Sequence, residues 1–243
     1  MTPIQKFFKE RKISMKKTNK ILSIFLSMLM VLSIVPFTGM SAFAAPAEQY
    51  IEIRTAEEFM SYCGKDDGTY ALKLMNDIDI CSTYVYFYTD TVLDLNGHTL
   101  NCTQSIKYAN YYAIEVRANS LTINDSSAAK TGKITSVVKD STAENSFAFA
   151  IKVGDLTNKS GSTLIMNGGT ITKFPGRSSS IVGTVTVGDY STFIMNSGKI
   201  VDNIVYSNKA RQYNGGVCLL HNKPDSTGKI ILGGDAVVYN NGF

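Results

Sequence analysis

One short pattern returns along most of this chain: an alternating apolar run, a turn, then a second short apolar run. Leu93-Asp94-Leu95-Asn96-Gly97 precedes Leu100, and Leu121-Thr122-Ile123-Asn124-Asp125 precedes Gly132-Lys133-Ile134. Leu164-Ile165-Met166-Asn167-Gly168 precedes Ile171, Phe193-Ile194-Met195-Asn196-Ser197 precedes Ile200, and Ile230-Ile231-Leu232-Gly233-Gly234 precedes Val237. The starts lie 28, 43, 29 and 37 residues apart. A uniform supersecondary unit with loop insertions explains such unequal spacings. Apolar residues at i and i+2 give strand periodicity. A further run precedes each later motif: Ile114-Glu115-Val116, Ile151-Lys152-Val153, Val185-Thr186-Val187 and Val217-Cys218-Leu219.

One unit therefore reads strand, turn, strand, turn, short strand. Strands of three to five residues are too short for a hairpin sandwich to be the natural reading. Stacked units place each strand beside its counterpart one coil away, about 4.8 Å distant, and the apolar positions fill the inside of a solenoid. Asn96, Asn124, Asn167 and Asn196 occupy the same place in successive units. Stacked asparagines can hydrogen-bond along the axis and tolerate a left-handed turn. Four independent turn asparagines in an antiparallel sandwich is the competing reading.

These motifs resemble a known group. Leu-x-Leu-Asn-Gly followed by x-x-Leu, and Met166-Asn167-Gly168-Gly169-Thr170-Ile171, are typical of right-handed parallel β-helix proteins with the pectin-lyase-like fold. More narrowly, Thr192-Phe193-Ile194-Met195-Asn196-Ser197-Gly198-Lys199-Ile200 through Gly215-Gly216-Val217 resembles the repeats of adhesin-like surface proteins of gut Firmicutes. The resemblance covers residues 50–243 and implies an all-β, right-handed parallel β-helix solenoid. It is specific for fold and weak for activity, because the shared residues are structural and the fold hosts lyases, hydrolases and non-catalytic binders.

A solenoid needs caps on its open sheet edges. Thr55-Ala56-Glu57-Glu58 is a capping box ahead of Phe59, Met60 and Tyr62, so a short N-terminal capping helix is expected over residues 55–63. Asn240-Asn241-Gly242-Phe243 follows a core-facing Val237 with no helix or polar closing segment. The sequence is read as the front of a longer array, truncated at its C-terminal side, although a dimer could also cover that edge.

Residues 1–44 read as an N-terminal extension and a secretory signal peptide. Met15-Lys16-Lys17 with Lys20 is a basic start, Ile21–Met40 an apolar stretch broken by Pro36, and Ala42-Phe43-Ala44 a cleavage site, with cleavage before Ala45. The leader is of bacterial type. Residues 45–243 then form the solenoid domain, secreted or on the cell surface, and the membrane enters only through the leader. Charge agrees. The chain has 24 basic and 20 acidic residues, but seven of the basic and one of the acidic lie in the first 44, so the remainder carries −2. No basic patch remains to suggest nucleic acid.

The site candidates come from stacking. Val153-Gly154-Asp155 and Val187-Gly188-Asp189 end the same strand in successive coils, and Leu219-Leu220-His221 comes next. Asp155, Asp189 and His221 would lie one above another, beside Lys152 and one coil from Arg117. Such carboxylates can hold Ca²⁺, and a Lys or Arg of lowered pKa can abstract a proton beside a uronate, the logic of polysaccharide lyases in this fold. Gly-Asp is also ordinary turn chemistry. In Tyr84-Val85-Tyr86-Phe87-Tyr88, Val85 and Phe87 face inward and Tyr84, Tyr86 and Tyr88 outward; Tyr108, Tyr111 and Tyr112 follow in the next coil. Exposed tyrosines stack on sugar rings, or pack beneath a loop.

His98, in Asn96-Gly97-His98-Thr99, reads as a turn residue, since no carboxylate pair accompanies it. Cys63, Cys81, Cys102 and Cys218 show no metal-site spacing. A Cys81–Cys102 bridge across neighbouring coils competes with free, mostly buried thiols. The expected function is a non-catalytic extracellular module of an adhesin-like protein that contacts a polysaccharide or a host or neighbour surface glycan. A Ca²⁺-dependent polysaccharide lyase and a stalk or spacer are the alternatives.

Overall fold

The computed structural model describes residues 49–81, 85–103, 112–117, 119–136, 149–154, 161–177, 183–206, 216–220 and 223–241. The expected leader, its cleavage site and most of the long loops lie outside these residues. The described chain is predominantly β. In order it forms β1 (Ile51–Ile53), α1 (Ala56–Tyr62), β2 (Tyr70–Leu74), β3 (Ile78–Cys81), β4 (Val85–Phe87), β5 (Thr91–Asp94), β6 (Thr99–Thr103), β7 (Tyr112–Val116) and β8 (Ser120–Asn124). Then come β9 (Lys133–Thr135), β10 (Phe149–Val153), β11 (Thr163–Thr172), β12 (Pro175–Arg177), β13 (Val185–Val187), β14 (Thr192–Val201), β15 (Ile204–Tyr206), β16 (Val217–Leu219) and β17 (Lys229–Tyr239). Among the described residues no helix is long and apolar enough to cross a membrane.

Every strand pairing among the described residues is parallel. A ten-stranded sheet has two ranks, β1-β2-β5-β8 and β3-β6-β9, which meet on β11; β14 and β17 add beyond it. β11 pairs with β8 through Thr163–Met166 and with β9 through Thr170–Thr172, so one long strand turns a corner between the ranks. Gly169 makes that corner at φ +79°, and Gly198 repeats it in β14 at φ +100°. A side chain on Gly198 would stand 2.7 Å from the Gly169 carbonyl oxygen, so both conformation and close stacking require glycine. β4-β7-β10-β13-β16 form a five-stranded sheet, and β12 and β15 pair separately. This curled parallel arrangement is compatible with the expected solenoid.

The core is a set of columns. Register aligns Leu72, Leu93, Ile123, Met166 and Met195, all fully buried. Ile78, Leu100, Ile134, Ile171 and Ile200 form a second column, and Phe87, Val116, Val153 and Val187 a third. Burying one such side chain contributes about 1.5–3 kcal/mol. The columns reach β17 at Leu232 and Val238, which are 53% and 37% exposed. α1 forms as the sequence requires: Thr55 Oγ1 accepts from Glu58 N (3.1 Å), and the Glu58 carboxylate accepts from Thr55 N (3.2 Å). Its Phe59 is fully buried and meets Phe87 edge-on at 6.4 Å. β1, ahead of α1, pairs with β2, a strand that the sequence did not announce.

The asparagine ladder holds for three of its four expected members. Asn196 Nδ2 donates to Asn167 Oδ1 (2.9 Å), and Asn167 Nδ2 to Asn124 Oδ1 (3.0 Å). Asn96 lies elsewhere, because Leu93 pairs with Ile123 rather than Leu121 and Asp94 stands opposite Asn124. A two-residue slip preserves the inward and outward alternation, so the pattern alone could not detect it. The two roles expected of one asparagine are also divided. Of the four, Asn96 alone has positive φ, +48°, and its Nδ2 donates to the Leu74 carbonyl (3.0 Å). The Cys81–Cys102 stack fails for a related reason. Cys102 pairs with Ile80 and Cys81 with Thr103, one residue out of step, and Cys102 is a buried free thiol.

Asp94 is wholly buried and saturated. Its carboxylate accepts from Asn96 N (3.0 Å), Ser126 N (2.9 Å) and Ser126 Oγ (2.6 Å), with Lys73 Nζ at 3.3 Å. Burial pushes its pKa up, but the Ser126 and Asn96 hydrogen bonds and Lys73 outweigh this and hold it below the ordinary 3.8. A depressed folded-state pKa gives stability present above the unfolded value and lost as pH falls through the folded one. Asp94→Asn is therefore expected to lower stability at pH 7 by about 1–3 kcal/mol, and to flatten the loss of stability below pH 3.8; urea midpoints from pH 7 to pH 2 check both. Asn167→Ala, which removes both ladder bonds, is expected to cost about 1–3 kcal/mol, more than Asn196→Ala in the same denaturation assay.

Candidate functional site

The outward positions of the five-stranded sheet bring together part of the expected site. Tyr86 on β4, Glu115 on β7, Lys152 on β10 and Thr186 on β13 stand in one cross-strand row. Val85 and Phe87 are buried while Tyr88 is 41% exposed, so the expected phase of this strand is the observed one. Tyr86 and Tyr88 stack, with centroids 5.9 Å apart and planes at 24°. Tyr84 lies outside the described residues, as do Tyr108 and Tyr111. Tyr112 packs against buried Phe149, with ring centroids 5.3 Å apart, and hydrogen-bonds Thr186 of the same outward row; burial pushes its phenol up beyond the usual tyrosine range.

Arg117 completes the tyrosine pair. Its guanidinium lies 4.6 Å from the Tyr86 ring centroid and 5.7 Å from that of Tyr88. Its Nη1 donates to the Tyr88 hydroxyl (3.2 Å) and its Nη2 to Glu115 Oε2 (3.0 Å). The other Glu115 oxygen accepts from Lys152 Nζ at 2.6 Å. Glu115, 9% exposed, thus holds two cations, Arg117 at the end of its own strand and Lys152 from the neighbouring β10. Partial burial works against the Arg117 charge, but the hydrogen bond and charge of Glu115 prevail and raise its pKa above the usual arginine value. The result is an aromatic–guanidinium surface with one net positive charge among Glu115, Arg117 and Lys152.

The remaining expected residues do not join it. Asp155 and His221 lie outside the described residues. Asp189 is 1% exposed, in the tight turn where Ser191 N donates to the Gly188 carbonyl (3.2 Å). Its turn reading fits this position; the expected stack with Asp155 and His221 involves residues outside those described. The row is also less open than a solvated sheet face, since Thr186 and Cys218 are 1% and 2% exposed. Among the described residues no group of three or more His, Cys, Asp or Glu is placed to hold a metal ion. His98 sits in its turn, with its backbone N donating to the Leu95 carbonyl (2.8 Å) and Nδ1 3.5 Å from Asp77 Oδ1.

Sequence reasoning named Arg117 and Lys152 but missed the residue between them. Glu115 is the one charged residue in Ile114-Glu115-Val116, and aligning that run with Ile151-Lys152-Val153 would have placed it beside Lys152. No family model, curated protein or solved structure matches the chain. Glu115→Gln keeps the shape but leaves two adjacent cations without their carboxylate. We expect it to cost about 2 kcal/mol, below the full penalty for a broken buried pair because both cations reach solvent, measured as a shift in urea midpoint.

Proposed function

We propose that this chain is a right-handed parallel β-helix, and that it serves as a non-catalytic extracellular module of a bacterial cell-surface, adhesin-like protein that holds glycans. Nearly all parallel crossovers within one sheet are right-handed, and the all-parallel registers of the described strands are compatible with a coil. The observation that carries the binding reading is the exposed Tyr88 ring beside Tyr86, clamped by Arg117. A fixed aromatic surface with little side-chain freedom left to lose suits the apolar face of a sugar ring. The adjacent net positive charge favours glycans that carry a uronate or another anion.

The lyase reading receives less support. It asks for a Lys or Arg biased towards its neutral form, whereas the Arg117 shift runs the other way and the Lys152 ammonium is committed to Glu115 at 2.6 Å. The test is retention of the full chain on neutral and uronate oligosaccharide arrays. Tyr88→Ala is expected to lower retention about tenfold, the scale of one lost aromatic contact. A folded chain that retains no glycan would support a spacer instead. Unsaturated chain ends released from polygalacturonate would establish a lyase.

A further inference from the structure

Among the described residues β17 pairs along one edge only, with β14. It is 11 residues long, about twice the usual strand, and a long apolar edge of this kind templates further strand pairing. Of the large hydrophobic side chains exposed among the described residues, all but Tyr88 belong to it: Ile231, Leu232, Val237, Val238 and Tyr239. Leu232 and Val238 continue columns whose earlier members are buried. The opposite end of the stack is closed. Ile78 and Ile80 of the edge strand β3 are buried, and Phe87 of the edge strand β4 lies under Phe59 of α1. Head-to-tail addition of copies would need that covered end, so the arrangement left for self-association is a closed pair of like ends.

The backbone and the side chains of β17 suit such a pair. Lys229 N donates to the Ser191 carbonyl on the β14 side (2.9 Å), and successive residues of a strand turn their amides to opposite edges. Ile230 and Leu232 therefore turn theirs to the open edge. In the second half of the strand, Val237 is in register with Lys199 and Thr170, and Thr170 N donates to the Gly132 carbonyl of the previous pass (2.9 Å). The same alternation turns Ala236 and Val238 to the open edge. Between the two halves the register skips Gly233 and Gly234, where Gly234 takes φ +54° and β17 repeats the corner of β11 and β14.

We propose that this edge is an interface between two copies of the chain, with β17 of one copy antiparallel to β17 of the other about a two-fold axis through the Gly233–Gly234 corner. An axis along the bisector of a corner exchanges its two legs and keeps the inner side inner. It sets Ile230 opposite the second copy's Val238 and Leu232 opposite the second copy's Ala236. These are the residues whose amides face the open edge, so each pair exchanges two backbone hydrogen bonds, and their side chains close the two cores against each other. Ile231 then stands opposite Val237 on the outer side. Lys229 faces Tyr239 and Asp235 faces Gly233, so no charge meets its own kind. The interface is independent of whether the Tyr86–Tyr88–Arg117 surface holds a glycan.

The test is light scattering of the full chain on a sizing column, from low to high micromolar concentration, where a dimer is expected. Val238→Lys sets an ammonium group between the closed cores. It is expected to raise the dissociation constant at least about a hundredfold, while the urea midpoint, measured at a dilution where the wild type is monomeric, changes little. Register is tested by disulfide formation with oxidised glutathione. Residues of a non-hydrogen-bonded antiparallel pair stand about 4.5 Å apart at Cα, within the usual disulfide range of about 4.4–6.8 Å. A mixture of Ile231→Cys and Val237→Cys chains is expected to cross-link, and each variant alone to stay at the wild-type background. The proposal is overturned by a chain that stays monomeric throughout, as when another segment of the same chain covers β17. It is equally overturned by species larger than a dimer, by association that persists in Val238→Lys, or by cross-linking that does not require the mixture.

Discussion

In-register stacking of parallel strands is the constraint on which the rest depends. Each strand hydrogen-bonds to its counterpart in the next pass, so a residue's neighbours are the residues at the same position above and below it. One inward position must therefore be apolar in every pass, as in Leu72, Leu93, Ile123, Met166 and Met195. One turn must have the same space in every pass, hence Gly169 beneath Gly198. Outward polar groups become chains, as Asn124, Asn167 and Asn196 do. Identical neighbours are favourable for leucines and amides. For charges they are not, and the sheet instead alternates Glu115 with Lys152.

That constraint explains what was legible in the sequence. Alternation and recurrence identify strands, their inward faces and the parallel sheets, because those features repeat in every unit. The capping box was legible because it is local: Thr55 and Glu58 need only each other. Register was the weak point. Period-two alternation is unchanged by a slip of two residues, which misplaced Asn96. An unequal turn puts Cys81 one residue away from the neighbour that a count of 21 suggested. β1 escaped because Ile51-Glu52-Ile53 is followed by the Thr55 capping box rather than by the recurring turn motif that marked the other three-residue runs.

The sites were less legible than the fold, because outward residues are free to differ between passes. Tyr86, Tyr88 and Lys152 could be assigned a face from alternation, but their partners come from strands far along the chain. Glu115 reaches Lys152 across 37 residues, and Asn101 stands beside Thr135 across 34. Both relations require the register of each intervening loop to be known. Burial was hidden as well. Asp189 reads as a strand-end carboxylate able to hold Ca²⁺ or as a turn residue, and neither reading gives its 1% exposure, because alternation assigns a side to a residue without saying what covers that side.

The two outward faces treat charge in opposite ways. On the five-stranded sheet, Glu115 lies between Arg117 and Lys152 at 3.0 Å and 2.6 Å, so the row satisfies itself and leaves Tyr88 as its open element. On the ten-stranded sheet, Asp77 and Asp79 share a cleft with Lys133 and Lys173 without pairing to them, and Thr135 Oγ1 remains unsatisfied. The carboxylates there are held by uncharged donors instead: Asp77 accepts from Thr99 N at 2.8 Å and Asp79 from Asn101 Nδ2 at 2.7 Å. Charge is thus balanced by opposite charge on one face and by uncharged hydrogen-bond donors on the other, so only the first leaves an aromatic ring as its exposed element.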